Sequence, residues 1–264
     1  MKDEASTLMQ AAAEVARRAG DAALSHFRKS LAIETKGDGT PVTVADREAE
    51  ARAREWIEAR FPEDGILGEE LGVHNANAER RWILDPIDGT KTFVRGVPLW
   101  GTLVAVAKGE DVLAGAAYFP AVGEALVAAP GWGCWWNGAK CAVSSVADLA
   151  SATALITDDR FAENPSWGDS WRSLSKRAAV VRTWGDCYGY LLVATGRAEI
   201  MVDEVLSPWD AAALFPIVRE AGGVFTDWTG RATAFGANAI ATNAALAEEV
   251  RRSLVPGQAR RMHG

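Results

Sequence analysis

The hydrophobic pattern changes its period near Pro62, and this change restricts the fold more than any other feature of the chain. Before Pro62, apolar residues recur at helical spacing over residues 8–27 and 49–57, which predicts two amphipathic helices that serve as packing elements. After Pro62, short apolar segments separated by Gly and Pro turns predict strands that form a mostly antiparallel sheet. These strands are expected at residues 66–67, 82–84, 99–107, 112–119 and 125–128.

The second half of the chain alternates short strands with helices. Gly222 and Gly223 end one of these helices in the way that a C-terminal glycine stop does. The chain has no internal repeat and no linker of low complexity, so we expect one domain, residues 1–264, with two packed halves at about 1–145 and 146–264. The expected strands are residues 154–156, 180–182 and 200–202, and the expected helices are residues 188–195, 208–221 and 245–254.

The composition excludes several classes of function. A formal charge of −7 without a long Lys/Arg block argues against a nucleic-acid partner. The longest apolar runs are far shorter than the ~20 residues that a helix needs to cross a bilayer. Three cysteines form neither a CxxC pair nor an even set, which gives little support to a disulfide framework or a zinc site. We therefore expect a cytoplasmic protein that binds neither nucleic acid nor membrane.

Residues 82–91 hold the most chemical information. An apolar strand ends at Asp85, Pro86 cannot continue a hydrogen-bonded ladder, and Gly89 permits a sharp turn before a new helical turn. The carboxylates of Asp85 and Asp88 are therefore expected to converge beside free backbone N–H groups. Such N–H groups bind phosphate oxygens, and two nearby carboxylates bind hard cations.

Other acidic residues have structural explanations when each is taken alone. Glu69 and Glu70 follow a strand, where an acidic turn exposed to solvent is common. Asp46 stands three residues after Thr43, which is the spacing of a helix-capping box, and Asp210 follows a serine at the same spacing. Only the whole set of acidic sites favours a functional interpretation.

Other phosphatase chemistries do not fit the sequence. The chain contains no Cys-x5-Arg and no GxxxxGK[ST] motif, and its acidic turn has two residues, not one, between the aspartates. Only three histidines are present, which argues against a histidine nucleophile. Water activated by a metal ion is the mechanism that remains.

At this point the sequence resembles the inositol monophosphatase family over nearly the whole chain. The resemblance implies an α/β layered sandwich with the order αβαβα and a mostly antiparallel first sheet, and it implies two or three Mg²⁺ ions per site. The matching landmarks are residues 41–46, 68–70, 82–90, 208–210 and 220–223. The implied metal ligands are Glu69, Asp85, the backbone carbonyl of Ile87, Asp88 and Asp210.

The same resemblance implies catalytic roles for individual residues. Asp46 and Thr90 are expected to polarise the attacking water, with Glu69 as a third catalytic residue. Lys36 lies in a segment that looks like the family's mobile active-site loop. The residues expected to bind phosphate are Asp88, Gly89 and Thr90.

Within the family, residues 88–98 and 184–188 look most like the histidinol-phosphatase branch. Inositol-type members usually carry a small or hydroxyl residue where Asp186 stands, after Gly185. Histidinol phosphate carries an ammonium group, and an anionic Asp186, with Asp203 or Glu204, would pair with it. The alternative that these three acids lie on a solvated surface stays open.

Two rival functions also stay open. An inositol or broad sugar-phosphate phosphatase would use the same residues with a different pocket, and a non-catalytic binding protein would keep the fold alone. The intact acidic set counts against the second rival. Eleven tryptophans are better explained as core or interface residues than as a substrate box, and on that ground we expect a homodimer.

Overall fold

The structure is a computed structural model that describes residues 2–37, 39–163 and 167–255. In these ranges the helices are α1 Lys2–His26, α2 Val44–Arg60, α3 Thr90–Phe93, α4 Gly168–Ser175, α5 Asp186–Ala194, α6 Pro208–Ala211, α7 Leu214–Glu220 and α8 Ala247–Leu254. The strands are β1 Glu34–Thr35, β2 Pro41–Val42, β3 Gly65–Gly68, β4 Gly72–His74, β5 Arg80–Asp88, β6 Gly101–Lys108, β7 Asp111–Phe119, β8 Glu124–Ala129, β9 Gly133–Trp136, β10 Ala139–Cys141, β11 Thr153–Ile156, β12 Val180–Arg182, β13 Ile200–Asp203, β14 Val224–Thr226 and β15 Ala239–Thr242.

The elements stack in five layers, which confirms the predicted αβαβα sandwich. The helices α1 and α2 pack on an eight-stranded sheet, α5 and α7 lie between this sheet and a five-stranded sheet, and α4 and α8 cover the far side of the second sheet. Each apolar helix face thereby meets a sheet. The predicted stripe on α1 is buried, since Leu8, Val15 and Ala23 are at most 2% exposed.

The eight-stranded sheet has the order β10-β9-β8-β7-β6-β5-β3-β4. All its neighbouring strands are antiparallel except β3 and β5, so the predicted mostly antiparallel sheet is confirmed. The strands β4, β9 and β10 were not predicted. They are short. In β9 the adjacent Trp135 and Trp136 interrupt the alternation of apolar and polar residues by which a strand is recognised.

Strand β5 extends through the acidic turn. Asp85 pairs with Leu103 and Asp88 pairs with Gly101, so β5 holds one residue more than β6 over this interval, which is a β-bulge. The prediction that the strand ends at Asp85 because of Pro86 was therefore wrong. A bulge tolerates proline because the residue there does not have to donate to the ladder.

The five-stranded sheet has the order β12-β11-β13-β15-β14, and β11 runs parallel to both β12 and β13. The carboxyl ends of these three parallel strands therefore point the same way and lie side by side at one end of the strands. Thr157 follows β11, Asp203 ends β13, and the segment after β12 leads into α5. Ligand sites in open α/β sheets lie outside such strand ends.

Two predicted helices differ from the structure in their bounds. The helix expected at 208–221 is divided into α6 and α7. Pro216 cannot donate to the carbonyl of Ala212 and its ring would clash there, which accounts for the break. The helix α5 begins at Asp186, two residues before the predicted start at residue 188.

The two halves share buried side chains. One hydrophobic cluster contains Leu103 and Phe119 from the first sheet together with Leu191 and Met201 from the second half. The division near residue 145, the homodimer and the cytoplasmic location stay predictions. None of the helices in the described ranges has both the length and the apolar character that a bilayer span requires.

Candidate active site

The bulge in β5 turns two carboxylates toward the same side of the sheet. A bulge sets two residues against one, so Asp85 and Asp88, three apart in sequence, face the same way as residues two apart do in a regular strand. Asp210, in α6, approaches from the second half. One carboxylate oxygen from each of the three acids lies within 4.8 Å of the others, so these predicted acids do converge.

A backbone N–H group holds one oxygen of each carboxylate in this cluster. Such bonds fix the orientation of the side chains before any ligand arrives. One of them joins the two halves of the chain, because the donor lies in the first turn of α5. The three bonds are Ile87 N to Asp85 Oδ1 (3.0 Å), Cys187 N to Asp88 Oδ2 (2.6 Å) and Ser207 N to Asp210 Oδ2 (2.7 Å).

Burial and mutual repulsion disfavour the charged forms of this cluster. Burial raises the pKa of Asp85 well above its usual range, and the charges of Glu69, Asp88 and Asp210 raise it further. Burial likewise raises the pKa of Asp88 and brings the pKa of Asp210 to about 6. A cation between these groups would relieve the repulsion, and an oxygen-only set suits a hard divalent ion. The residues present therefore fit a metal site.

Glu69 lies beside the cluster but outside the group of three that converges within 4.8 Å. Its carboxyl nevertheless reaches Asp85 and raises the pKa of Asp85. Glu69 Oε1 accepts a hydrogen bond from Lys36 Nζ at 2.6 Å, and Glu70 Oε1 accepts one from the same ammonium at 2.5 Å. Burial raises the pKa of Glu70 to about 7. The predicted loop residue Lys36 thus contacts a predicted metal ligand, while the mobility of its loop stays a prediction.

Asp46 caps α2 and also faces Thr90, while its catalytic role stays a prediction. Its Oδ2 accepts the N–H and the hydroxyl of Thr43 at 2.8 and 2.7 Å, which closes the capping box of α2. Its Oδ1 lies 3.4 Å from Thr90 Oγ1, and the same hydroxyl lies 3.0 Å from the carbonyl oxygen of Ile87. Burial raises the pKa of Asp46. The capping bonds to Oδ2 therefore orient Oδ1 of Asp46 toward Thr90, the other residue predicted to polarise the attacking water.

Gly89 makes the sharp turn between β5 and α3. Its φ of +90° lies in the left-handed region, which glycine adopts without steric cost. A side chain here would also approach Asp186 Oδ2, because a Cβ at residue 89 would lie 3.2 Å from that oxygen. The turn brings Asp88, Gly89 and Thr90 together in the wall of one cavity, and their role in phosphate binding stays a prediction.

A cavity of about 290 Å³ lies in front of the cluster, and Asp186 and Asp203 line it together with the predicted metal ligands. Gly185 lines a neighbouring cavity of about 600 Å³, which Asp186 also borders. Glu204 lines a third cavity of about 400 Å³. The structure therefore places two of the four predicted substrate residues beside the cluster and sets Gly185 and Glu204 at its margins.

Asp186 and Asp203 differ in their surroundings. Asp186 has a φ of +48° and its Oδ2 lies 3.4 Å from Thr92 Oγ1, while burial raises its pKa. Asp203 accepts hydrogen bonds from the hydroxyls of Tyr190, at 2.8 Å, and Thr157, and burial raises its pKa to about 7. Asp203 is buried, while Asp186 and Glu204 are partly buried, so none of the three is a fully solvated surface group.

Several residues that line the cavity were not identified from the sequence. Cys187 supplies the N–H to Asp88, Thr157 bonds to Asp203, and Tyr190 and Trp209 form further parts of the wall. The position of Thr157 directly after a strand was a usable signal, because side chains at the carboxyl ends of parallel strands meet at one edge. No local signal marks the backbone of Cys187.

Comparison with known proteins agrees with this geometry. The model of the inositol monophosphatase family matches residues 4–258. A histidinol-phosphatase from Chlorobaculum parvum is 42% identical over 95% of this chain and 97% of its own, and one from Mycobacterium tuberculosis is 41% identical over 86% and 89%. The solved inositol monophosphatase from Zymomonas mobilis is 32% identical with a TM-score of 0.82, over 93% of this chain and 96% of that one.

The five-layer fold and the carboxylate cluster define the class of the protein, which is a phosphoric monoester hydrolase. Its cluster of acids matches the metal dependence of such enzymes. The chain belongs to the inositol monophosphatase family.

Proposed function

We propose that this protein hydrolyses histidinol phosphate to histidinol and inorganic phosphate with Mg²⁺ as its metal. The observation that carries the choice of substrate is the position of Asp186, whose carboxylate lines the cavity that contains the acidic cluster. Histidinol phosphate bears an ammonium group near its phosphate, and a buried carboxylate pairs with such a group more strongly than a neutral side chain does. The names of the two relatives from Chlorobaculum and Mycobacterium support the same substrate.

The surroundings of Asp186 favour this pairing. Burial opposes its ionisation, while the charge of Lys91 and the hydroxyl of Thr92 favour it. An ammonium group in the cavity would stabilise the ionised form further, because opposite charges in a poorly solvated site attract strongly. Neutral polyols would donate hydrogen bonds to Asp186 but would gain no charge pairing.

The oxygen donors suit Mg²⁺, which prefers carboxylate and carbonyl ligands, whereas Zn²⁺ would favour His or Cys. Bound here, Mg²⁺ would supply the positive charge that neutralises phosphate oxygens and lowers the pKa of a water molecule. The residues that would hold it are Glu69, Asp85, the carbonyl of Ile87, Asp88 and Asp210.

The other residues of the site position the water and the phosphate. Thr90 Oγ1 has one proton, and when this proton is donated to Asp46 the lone pairs of the hydroxyl are free to accept a proton of the attacking water. Asp46 thereby takes up part of the positive charge that develops on the water. The start of α3 at Gly89 presents backbone N–H groups of the kind that bind phosphate oxygens.

A panel of phosphate monoesters tests the assignment. Purified, metal-free protein would be assayed with histidinol phosphate, inositol phosphate, a sugar phosphate and glycerol phosphate, each with and without added Mg²⁺. We expect the highest kcat/KM for histidinol phosphate and no turnover without metal. A higher kcat/KM for inositol phosphate or a sugar phosphate would replace the proposed substrate, and full activity after exhaustive chelation would refute the proposed metal dependence.

A further inference from the structure

We propose that Thr157 is a positioning residue for this site and sets the first turn of α5, which serves the metal ligands and the substrate carboxylate together. Thr157 follows β11, and its hydroxyl has two partners. Its Oγ1 accepts the backbone N–H of Asp186 at 2.9 Å and donates to the carboxylate of Asp203. The inference concerns the same site as the proposed function and rests on it for the choice of amine substrate.

The two bonds tie three strand ends together. Thr157 follows β11, Asp203 ends β13, and Asp186 opens the helix that comes after β12. The second oxygen contact of Asp203, from the hydroxyl of Tyr190, attaches the same carboxylate to the next turn of α5. A serine or threonine hydroxyl is the smallest side chain that accepts one bond and donates another at the same point.

The start of α5 needs such support because its backbone is strained. Asp186 has a φ of +48°, a region that non-glycine residues enter at a cost of roughly 1–3 kcal/mol. Gly185, just before it, packs directly on Thr157, since a Cβ at residue 185 would lie 2.3 Å from Thr157 Cα. The glycine predicted to contact substrate therefore serves first to let α5 approach the end of β11.

The same turn holds a predicted metal ligand. The next N–H along the chain, that of Cys187, donates to Asp88 Oδ2 at 2.6 Å. Asp88 belongs to β5 in the first half, so this bond crosses between the halves. If the bond from Asp186 N to Thr157 is lost, the turn that aims both the Asp186 carboxylate and the Cys187 N–H loses a restraint. Metal binding and amine recognition should therefore weaken together.

The test compares Thr157→Val, which keeps the shape and removes the hydroxyl, with Thr157→Ser, which keeps the hydroxyl. Thr195→Val is the matched control, because Thr195 lies at the opposite end of the same helix and its hydroxyl bonds to the carbonyl of Leu191. Mg²⁺ binding to the metal-free proteins would be measured by calorimetry, and kcat and KM would be measured with histidinol phosphate and glycerol phosphate.

We expect Thr157→Val to weaken Mg²⁺ binding several-fold and to lower kcat/KM for histidinol phosphate about tenfold, with a smaller loss for glycerol phosphate. Thr157→Ser should restore both, and Thr195→Val should match the wild type. If the valine variant does not fold, Thr157→Ala removes the same hydroxyl with less bulk and decides the question.

Unchanged Mg²⁺ affinity and unchanged kcat/KM in the valine or alanine variant would overturn the inference, as would a serine variant that is no better than valine. The calorimetric arm does not depend on the substrate. If the wild type prefers a neutral ester, the proposed function fails, while a loss of Mg²⁺ affinity that serine restores still supports the positioning role of Thr157.

Discussion

The two sides of the active-site cavity are constructed in different ways. One side, the metal side, consists of Asp85, Asp88 and the turn at Gly89, which follow one another along β5 and its bulge. The other, the substrate side, consists of Asp186 and Asp203 with Thr157, which come from the ends of three separate strands. The first is determined by local backbone geometry, and the second by bonds between side chains distant in sequence.

This difference separates chemistry from specificity. Changes on the substrate side should leave the bulge intact, so substrate preference should be able to alter while the predicted metal ligands keep their positions. The bond from Cys187 N to Asp88 Oδ2 limits this independence, because a displaced α5 would disturb Asp88, a predicted metal ligand. Substitutions on each side should therefore have distinct kinetic effects.

The largest effect is expected from Asp88→Asn on the metal side. A neutral amide is a much poorer ligand for a hard cation, so turnover should fall by roughly a hundredfold or more with every phosphate ester. The fold should survive because asparagine can still accept the N–H of Cys187. Asp111→Asn, at an exposed position at the start of β7, is the control for loss of one negative charge. A near-normal rate would show that Asp88 is not a metal ligand.

A smaller and selective effect is expected from Asp186→Asn on the substrate side. Asparagine tolerates a φ of +48°, so the change removes charge without adding strain. A charge-assisted bond is worth roughly 1.5–3 kcal/mol, so kcat/KM for histidinol phosphate should fall about ten- to a hundredfold while glycerol phosphate is nearly unaffected.

Glu204→Gln provides the comparison for that variant, since Glu204 lines a neighbouring cavity and should matter less. Equal losses with both substrates in Asp186→Asn would assign this residue a structural role. No loss with either substrate would show that Asp186 does not contact the substrate.

The substrate side should also make stability depend on pH. Burial raises the pKa of Asp203 to about 7, above the usual value of 3.8. Between these two pKa values the folded state thus binds more protons than the unfolded state. The contribution of Asp203 to stability is therefore present at low pH and is lost as the pH rises through 7. Between pH 5 and 7 the free energy of unfolding of the metal-free protein should fall by roughly 2 kcal/mol because of Asp203.

Denaturant unfolding of metal-free wild type and Asp203→Asn at several pH values checks this expectation. The cluster acids and Glu70 titrate in both proteins. The difference between the two slopes of unfolding free energy against pH therefore isolates the effect of Asp203. Identical slopes would mean that Asp203 is already ionised at pH 5.

The smallest effect is expected from Lys36→Met. The ammonium of Lys36 pairs with Glu69, a predicted ligand, and must release this carboxylate for the metal. An ion pair of this partly exposed kind is worth at most about 1 kcal/mol, so the Mg²⁺ concentration for half-saturation should fall two- to fivefold. Lys140→Met, at an exposed position on β10, is the control. A higher Mg²⁺ requirement in Lys36→Met would mean that the lysine assists metal binding.

The metal side was largely predictable because its residues are neighbours in sequence. An apolar strand, two aspartates and a glycine restrict the backbone to few arrangements, and the convergence of Asp85 and Asp88 follows, whereas Asp210 was assigned to the site by resemblance. The sequence did not reveal the bulge, because strand patterns do not show whether proline ends a ladder or is accommodated in it. The pairing of Lys36 with Glu69 depends on the placement of the β1–β2 hairpin, which local patterns do not specify.

The substrate side was predictable only in part. Asp186 and Asp203 were identified by charge and by resemblance, and both line the cavity. The partners that hold them, Thr157 and Tyr190, lie on other elements, and their contacts depend on how the second sheet packs against α5. The break between α6 and α7 was missed because apolar periodicity continues across it, although Pro216 was a sufficient warning.

The bulge in β5 has a further consequence for charge balance. The four acids predicted as ligands, Glu69, Asp85, Asp88 and Asp210, would together balance the charge of two divalent ions. A further carboxylate in direct contact with the ions would add negative charge next to the phosphate dianion and increase the repulsion between them. Ile87 lies within the bulge, and its carbonyl, whose oxygen lies 3.0 Å from Thr90 Oγ1, offers an oxygen with no net charge. The extra residue in the strand would thus add one ligand oxygen without increasing the electrostatic barrier to the substrate.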